Sequence, residues 1–143
     1  MYMKTDEFGI EKIKRWIKGY LIAAAILFVF GIIYEIFSHG VYSVFMWGAF
    51  LIPFVMGAVL LAFIKNRCSS HPEKSILPGD MLLQLWGCSV ASLTAGSVIK
   101  GVLDIYGTTN SLTAVYAVLG ALLSAACVSI YIAGINAAKL RAR

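Results

Sequence analysis

The sequence predicts an all-α membrane protein, a bundle of four transmembrane helices preceded by a short amphipathic helix at the membrane surface. Of the 143 residues, 60% are hydrophobic and only 13% are charged, whereas soluble domains average about 25% charged residues. The apolar residues form four stretches that are each long enough to cross a bilayer. Since such a chain cannot cover its apolar side chains with polar ones, we predict a single transmembrane domain over residues 1–143.

The N-terminal segment carries the amphipathic pattern. Phe8, Ile13 and Ile17 recur at roughly helical spacing, and basic residues fill the positions between them. A helix of this kind lies in the membrane interface with its apolar face toward the acyl chains. We expect a surface helix that runs into the first span, acting either as a topology anchor or as a docking surface for lipid or a partner.

The spans and their connector have the following predicted bounds. The spans cover residues 16–37, 44–64, 81–104 and 112–137, and a basic cytoplasmic connector covers residues 65–80. The first span is too long for a signal peptide and lacks a good cleavage site after it, so we expect the mature protein to retain it. Ser43 and Asp80 are expected to cap the second and third spans.

Pro53 lies in the middle of the second span. Proline has no amide hydrogen, so we expect it to free the carbonyl group of Ala49 and to kink the helix. Gly48 and Gly57 would permit close helix approach near this point. Pro53 is therefore a candidate hinge, with a purely packing role as the alternative.

The third span is rich in small and hydroxyl-bearing residues. A helix of this composition is predicted to pack closely against other helices on several sides. Its hydroxyl groups either line a narrow polar path or bond to neighbouring helices and to the preceding turn. The residues concerned are Ser89, Ser92, Thr94 and Ser97.

The fourth span carries a small-residue ridge. Its members fall four residues apart, and Gly120 and Ser124 lie on a neighbouring row. Such a ridge should meet another helix closely, either within the chain or in an oligomer. The ridge consists of Ala117, Ala121, Ala125 and Ser129.

The basic residues sort to one side of the predicted membrane. They occupy the N-terminal segment, the connector and the C-terminal tail, and only Lys100 falls elsewhere. The positive-inside rule therefore places both termini and the connector in the cytoplasm. The two short turns, near His39 and Thr108, would then face outward.

The first and third spans end in similar sequences. Glu35 precedes Ile36 and Phe37, and Asp104 precedes Ile105 and Tyr106. Two hairpins of two spans each would form a parallel repeat about an axis along the membrane normal. Such a repeat would place the two acidic residues at matching depth near the outer surface.

Three ionisable residues near the outer boundary are the main candidates for a site. Ionisable groups inside a membrane are costly and are functional candidates by default. Glu35, Lys100 and Asp104 form either an ion-pair network that fixes helix register or an outward-facing site for a polar or charged ligand. In the second case His39, Tyr42 and Asn110 would lie at its mouth.

Several classes of protein are disfavoured by the sequence. The centres of the spans hold no ionisable residue, which argues against a proton-coupled pump. Cys68 and His71 form an isolated C-x-x-H without a second pair, so we expect no metal site and no cofactor. The absence of C-x-x-C argues against a thiol oxidoreductase. Basic residues that flank apolar segments do not indicate nucleic-acid binding.

Two segments resemble a group of small four-span proteins predicted in Gram-positive anaerobic bacteria. These segments run from Tyr34 to Phe50 and from Gly96 to Tyr116, and they cover the two outer turns. The group has no assigned activity. The resemblance therefore implies the four-span architecture and a bacterial cytoplasmic membrane, and it transfers no catalytic residue.

Three functional hypotheses remain. The first is an accessory or interaction subunit of a larger membrane complex, because the loops are short and small-residue ridges favour helix association. The second is a homo-oligomeric transporter or channel for ions or small solutes, favoured by the hydroxyl-rich third span and the Pro53 kink. A membrane enzyme is a distant third, since no nucleophile and base pair, metal set or phosphate loop is visible. We predict a protein that is not an enzyme, with the lipid bilayer and either a membrane protein or further copies of itself as partners.

Overall fold

Helices account for nearly all of the chain in the computed structural model, which describes residues 2–3, 7–38, 43–70 and 77–141. Four helical stretches in these residues are long and apolar enough to cross a membrane, which confirms the predicted fold class. The helices are α1 (Glu7–Phe37), α2 (Val44–Leu51), a π-helical segment (Ile52–Val59), α3 (Leu60–Ser70), α4 (Asp80–Ile105) and α5 (Thr113–Arg141). α2, the π segment and α3 follow one another without a break and form the second span.

α1 unites the amphipathic segment and the first span in one unbroken helix. It has 31 residues and is therefore about 46 Å long, longer than the hydrocarbon core of about 30 Å. Ile13, in its basic part, is fully buried and belongs to the same apolar cluster as Leu77 and Cys68. The protein itself therefore covers part of the apolar face that the sequence assigned to the membrane surface.

Two short strands join the N-terminus to the connector. β1 (Tyr2–Met3) pairs antiparallel with β2 (Leu77–Pro78). Nearby, Lys12 of α1 forms a salt bridge with Asp80. Gly79 is the N-cap residue of α4 and Asp80 is the first helical residue, so the expected cap at Asp80 is wrong. Its carboxylate pairs with Lys12 instead of closing the helix end.

The second span changes its helical form at Pro53. The π segment begins at Ile52, one residue before the proline, and the helix then continues to Ser70, beyond the predicted end at Ile64. The extension places Cys68 in the apolar cluster. Trp86 of α4 donates its indole N–H to the carbonyl oxygen of Met56 in the π segment, at 3.0 Å.

α4 lies between the second span and α5, and it approaches both closely. A Cβ atom at Gly101 would lie 2.9 Å from the backbone nitrogen of Met46 in α2. On the other side, a Cβ atom at Gly120 of α5 would lie 2.5 Å from the side chain of Leu93. α1 packs on the second span, and α4 is the main neighbour of α5. The four spans are thus neighbours in chain order.

The bundle has two unlike ends. The connector end is where α3 ends and α4 begins, and the turn end is where α1 gives way to α2 and α4 to α5. The main apolar cluster extends toward the connector end, where Ile13 and Leu77 are fully buried. The polar contacts between α1, α2 and α4 lie at the turn end.

Candidate functional site

The first turn of α2 contacts both acidic residues of the turn end. Ser43 is the N-cap residue, and its carbonyl oxygen accepts the backbone N–H groups of Met46 and Trp47. Its hydroxyl group makes no capping bond and donates instead to Oδ2 of Asp104, at 3.4 Å. Nε1 of Trp47 donates to Oε1 of Glu35, at 3.1 Å. Each carboxylate thus accepts a hydrogen bond from a side chain at the start of α2.

Lys100 pairs with Asp104 on the same face of α4. Its Nζ lies 2.5 Å from Oδ1 of Asp104, and the two side chains are 31% and 29% exposed. The ammonium group also lies 5.5 Å from the centroid of the Phe45 ring, a distance at which cation and ring attract each other. Lys100 is thus compensated by a carboxylate and by an aromatic face of α2.

Glu35 stands apart from this pair. Its carboxylate belongs to no ion pair with another described residue and accepts a hydrogen bond from Trp47. The Trp47 ring packs against Phe28 and Phe50, so the hydrogen bond extends an aromatic cluster between α1 and α2. The three ionisable residues form two subsites joined through the first turn of α2, rather than one direct network.

The space between these subsites is small. A cleft bordered by Glu35, Ser43 and Trp47 has a volume of about 10 Å³, roughly the room that one water molecule needs. Among the described residues, the cleft is therefore too small for a solute larger than water.

The predicted mouth of the site is only partly described. His39 and Tyr42 lie outside the described residues. Asn110 is exposed, and its Oδ1 accepts the backbone N–H of Leu112 at 2.9 Å. Its carbonyl oxygen accepts the hydroxyl group of Thr113 at 2.8 Å. The side-chain amide oxygen of Asn110 thus stabilises the turn that precedes α5.

Some residues of the turn end were missed by the sequence reasoning. Ser43 was expected only as a cap, and Trp47 was not singled out. One signal for Trp47 exists, since it follows Ser43 by one helical turn and therefore shares its face.

All four hydroxyl groups of α4 donate to backbone carbonyl groups. Ser89 donates to Gly120 at 2.8 Å and Ser92 to Tyr116 at 3.0 Å, both across to α5. Ser97 donates to Phe45 of α2 at 2.7 Å, and Thr94 to its own helix at 2.7 Å. These bonds join α4 to both neighbouring helices. Each hydroxyl group of α4 already donates its hydrogen to a backbone carbonyl group.

The small-residue ridge of α5 does not pack on α4. Among the α5 side chains that the structure describes, Gly120 and Cys127 are buried and Ser124 is half-buried. Ser124 lies 2.5 Å from the hydroxyl oxygen of Ser89. The four ridge residues themselves are exposed, namely Ala117, Ala121, Ala125 and Ser129.

The described residues contain no group of three or more His, Cys, Asp or Glu side chains that could hold a metal ion. Cys68 is buried in the apolar cluster, and His71 lies outside the described residues.

Together the fold and the turn-end contacts define a small multi-pass membrane protein with four spanning helices. Comparison of the chain with family models, with curated proteins and with solved structures finds no match. Its function must therefore be argued from its own residues.

Proposed function

We propose that this protein is an accessory or interaction subunit of a larger membrane complex, without enzymatic activity. One observation carries the proposal. α5 has α4 as its main neighbour, and it leaves the ridge from Ala117 to Ser129 exposed along its length. A partner helix that packs on this ridge would complete the helix environment of α5.

The chemistry of the ridge favours a helix as its partner. Transmembrane helices associate through van der Waals packing and interhelical hydrogen bonds, and small residues let the two backbones approach closely. A row of alanine side chains offers little bulk to lipid and a smooth groove to a second helix. Ala121 and Ala125 lie at the middle of the row, so a larger side chain there would separate the helices most.

The polar groups support the same proposal over a transporter or channel. A polar path needs groups free to bind a solute, but the hydroxyl groups of Ser89, Ser92, Thr94 and Ser97 are already engaged with carbonyl groups. At the turn end, Lys100 and Asp104 compensate each other. Transport by a homo-oligomer remains the second hypothesis, because a path between copies would not need these groups.

The proposed setting is a bacterial cytoplasmic membrane with both termini inside. The basic residues of the N-terminal segment, connector and tail support this orientation through the positive-inside rule. The resemblance of the two outer turns to small four-span proteins of Gram-positive anaerobes supports the bacterial origin.

The test is affinity purification from native membranes in mild detergent, followed by native mass spectrometry. We expect one foreign membrane subunit in fixed ratio with the tagged chain. Ala121→Leu should reduce the recovered partner severalfold, because the added side chain separates two closely packed helices.

The matched control is Ala126→Leu, which makes the same change at an exposed position outside the ridge. It should leave partner recovery unchanged. Recovery of a homo-oligomer with no foreign subunit would contradict the proposal and favour the transport hypothesis. An equal loss in both variants would show that the ridge is not the contact surface.

A further inference from the structure

An apolar groove runs between α3 and α5 near the connector end. α4 forms its floor through Leu82, Leu83 and Trp86, and its volume is about 270 Å³. The remaining lining residues are Leu60, Leu61, Phe63, Ile64, Pro78, Cys127, Val128 and Tyr131. The lining side chains are nearly all apolar, so the groove suits a hydrocarbon ligand.

The groove is short as well as apolar. The part of α4 that lines it runs from Leu82 to Trp86, about 6 Å at the helical rise. A slender acyl chain can enter an apolar slot of this kind, and the charge at its end indicates which lipid would supply the chain.

Two basic residues mark the connector end of the same groove. Lys65 follows Leu61 by one helical turn, and Arg67 follows Phe63 by one turn, so each continues a lining row of α3. Arg67 is exposed and Lys65 is half-buried. Neither forms a salt bridge with another described residue. The groove thus leads from an apolar slot to positive charge at the level expected for lipid headgroups.

We propose that this groove binds one acyl chain of an anionic phospholipid, with the headgroup phosphate held by Lys65 and Arg67. Basic residues next to spanning helices attract anionic headgroups, and a pocket between helices adds a specific place for the chain. The groove meets the ridge face of α5 at Val128, which follows Ala125 by three residues, but lipid binding in it needs no partner protein.

Trp86 provides a direct probe, because it lines the groove. In a variant that keeps Trp86 and carries Trp16→Phe and Trp47→Phe, bromine atoms on a bound acyl chain should quench its fluorescence. The protein is reconstituted in vesicles that contain a small fraction of brominated lipid. We expect phosphatidylglycerol brominated along one chain to quench at least fivefold more efficiently than brominated phosphatidylcholine, since the usual attraction of one basic residue alone corresponds to about that factor.

Two variants test the two halves of the site. Lys65→Gln combined with Arg67→Gln should abolish the preference for phosphatidylglycerol while quenching by phosphatidylcholine persists. Val128→Phe should fill the groove and lower quenching by both lipids. The control Val118→Phe, at an exposed position of α5 outside the groove, should change neither.

A second reporter protein guards against a general effect of lipid charge. It keeps Trp47, near the turn end, and carries Trp16→Phe and Trp86→Phe. We expect the two brominated lipids to quench it equally. Equal quenching of Trp86 by the two lipids, or no effect of Val128→Phe, would overturn the proposal. Protection of Trp86 from both lipids would also overturn it, since another occupant would then fill the groove.

Discussion

At the scale of single residues, Gly57 and Tyr20 form a close contact between α1 and the second span. A Cβ atom at Gly57 would lie 2.3 Å from Cγ of the Tyr20 ring, so no larger residue fits without movement of the ring. The hydroxyl group of Tyr20 is buried and has no hydrogen-bond partner among the described residues. The Tyr20 ring therefore packs directly against Gly57. Its hydroxyl group forms no hydrogen bond with a described residue that would stabilise the fold.

Gly57→Ala should destabilise the protein by about 1–3 kcal/mol, the usual effect of overfilling a packed contact. The measurement is the free energy of unfolding in mixed detergent micelles. Gly19→Ala is the matched control, because a Cβ atom there meets nothing within 4 Å. Tyr20→Phe keeps the ring and removes an unpaired polar atom, so it should not destabilise. Equal stability of Gly57→Ala and Gly19→Ala would contradict the contact.

The pairing of the turn-end charges makes a second residue-scale prediction. Double-mutant cycles with Lys100→Gln should give a coupling of about 0.5–1 kcal/mol with Asp104→Asn, because the pair is partly exposed. The same cycle with Glu35→Gln should be additive within about 0.5 kcal/mol, because Glu35 bonds to Trp47. Strong coupling between Lys100 and Glu35 would show that one direct network joins all three residues.

Residue types could be read from the sequence at the turn end, but their partners could not. Ser43 was predicted as the N-cap residue and occupies that position. Its hydroxyl group bonds to Asp104, because α4 approaches the start of α2, and no local pattern carries that information. For the same reason the partner of Glu35 was not predicted.

At the scale of helices, the second span illustrates how far local chemistry reaches. Pro53 predicts a disturbance because it lacks an amide hydrogen, and the π segment begins next to it. Trp86 of α4 also bonds to Met56 within that segment, and this contact comes from another helix. A local sequence pattern therefore indicates the disturbance at Pro53 but not the contact with Trp86.

The hydroxyl groups of α4 give a prediction at the same scale. In a chain with its native cysteines replaced by alanine, Ser92→Cys and Ser97→Cys should resist water-soluble thiol reagents in intact membranes. Both positions face carbonyl groups of neighbouring helices. Ser111→Cys, in the exposed turn before α5, should react and serves as the control. Rapid labelling at Ser92 or Ser97 in the folded protein would indicate an aqueous path along α4.

At the scale of the whole molecule, the span count follows from composition and the neighbour order does not. Four long apolar stretches predict four spanning helices. The hydrocarbon core offers backbone N–H and C=O groups no hydrogen-bond partner, so they must bond within the helix. The order of packing is harder to predict, since an apolar face suits lipid and protein alike. The ridge of α5 is the clearest case: it was expected to meet a helix closely, and in this chain it lies exposed.

The most direct test of the interaction-subunit proposal is site-specific photo-crosslinking in living cells. A photoreactive side chain replaces Val118, which lies on the face of Ala121 and Ala125 and is 58% exposed. The comparison position is Leu119, which is 49% exposed and lies on another face. We predict an adduct with one foreign membrane protein from Val118, lost in the Ala121→Leu background, and none from Leu119. Adducts from Val118 that contain only lipid or a second copy of the chain would contradict the proposal.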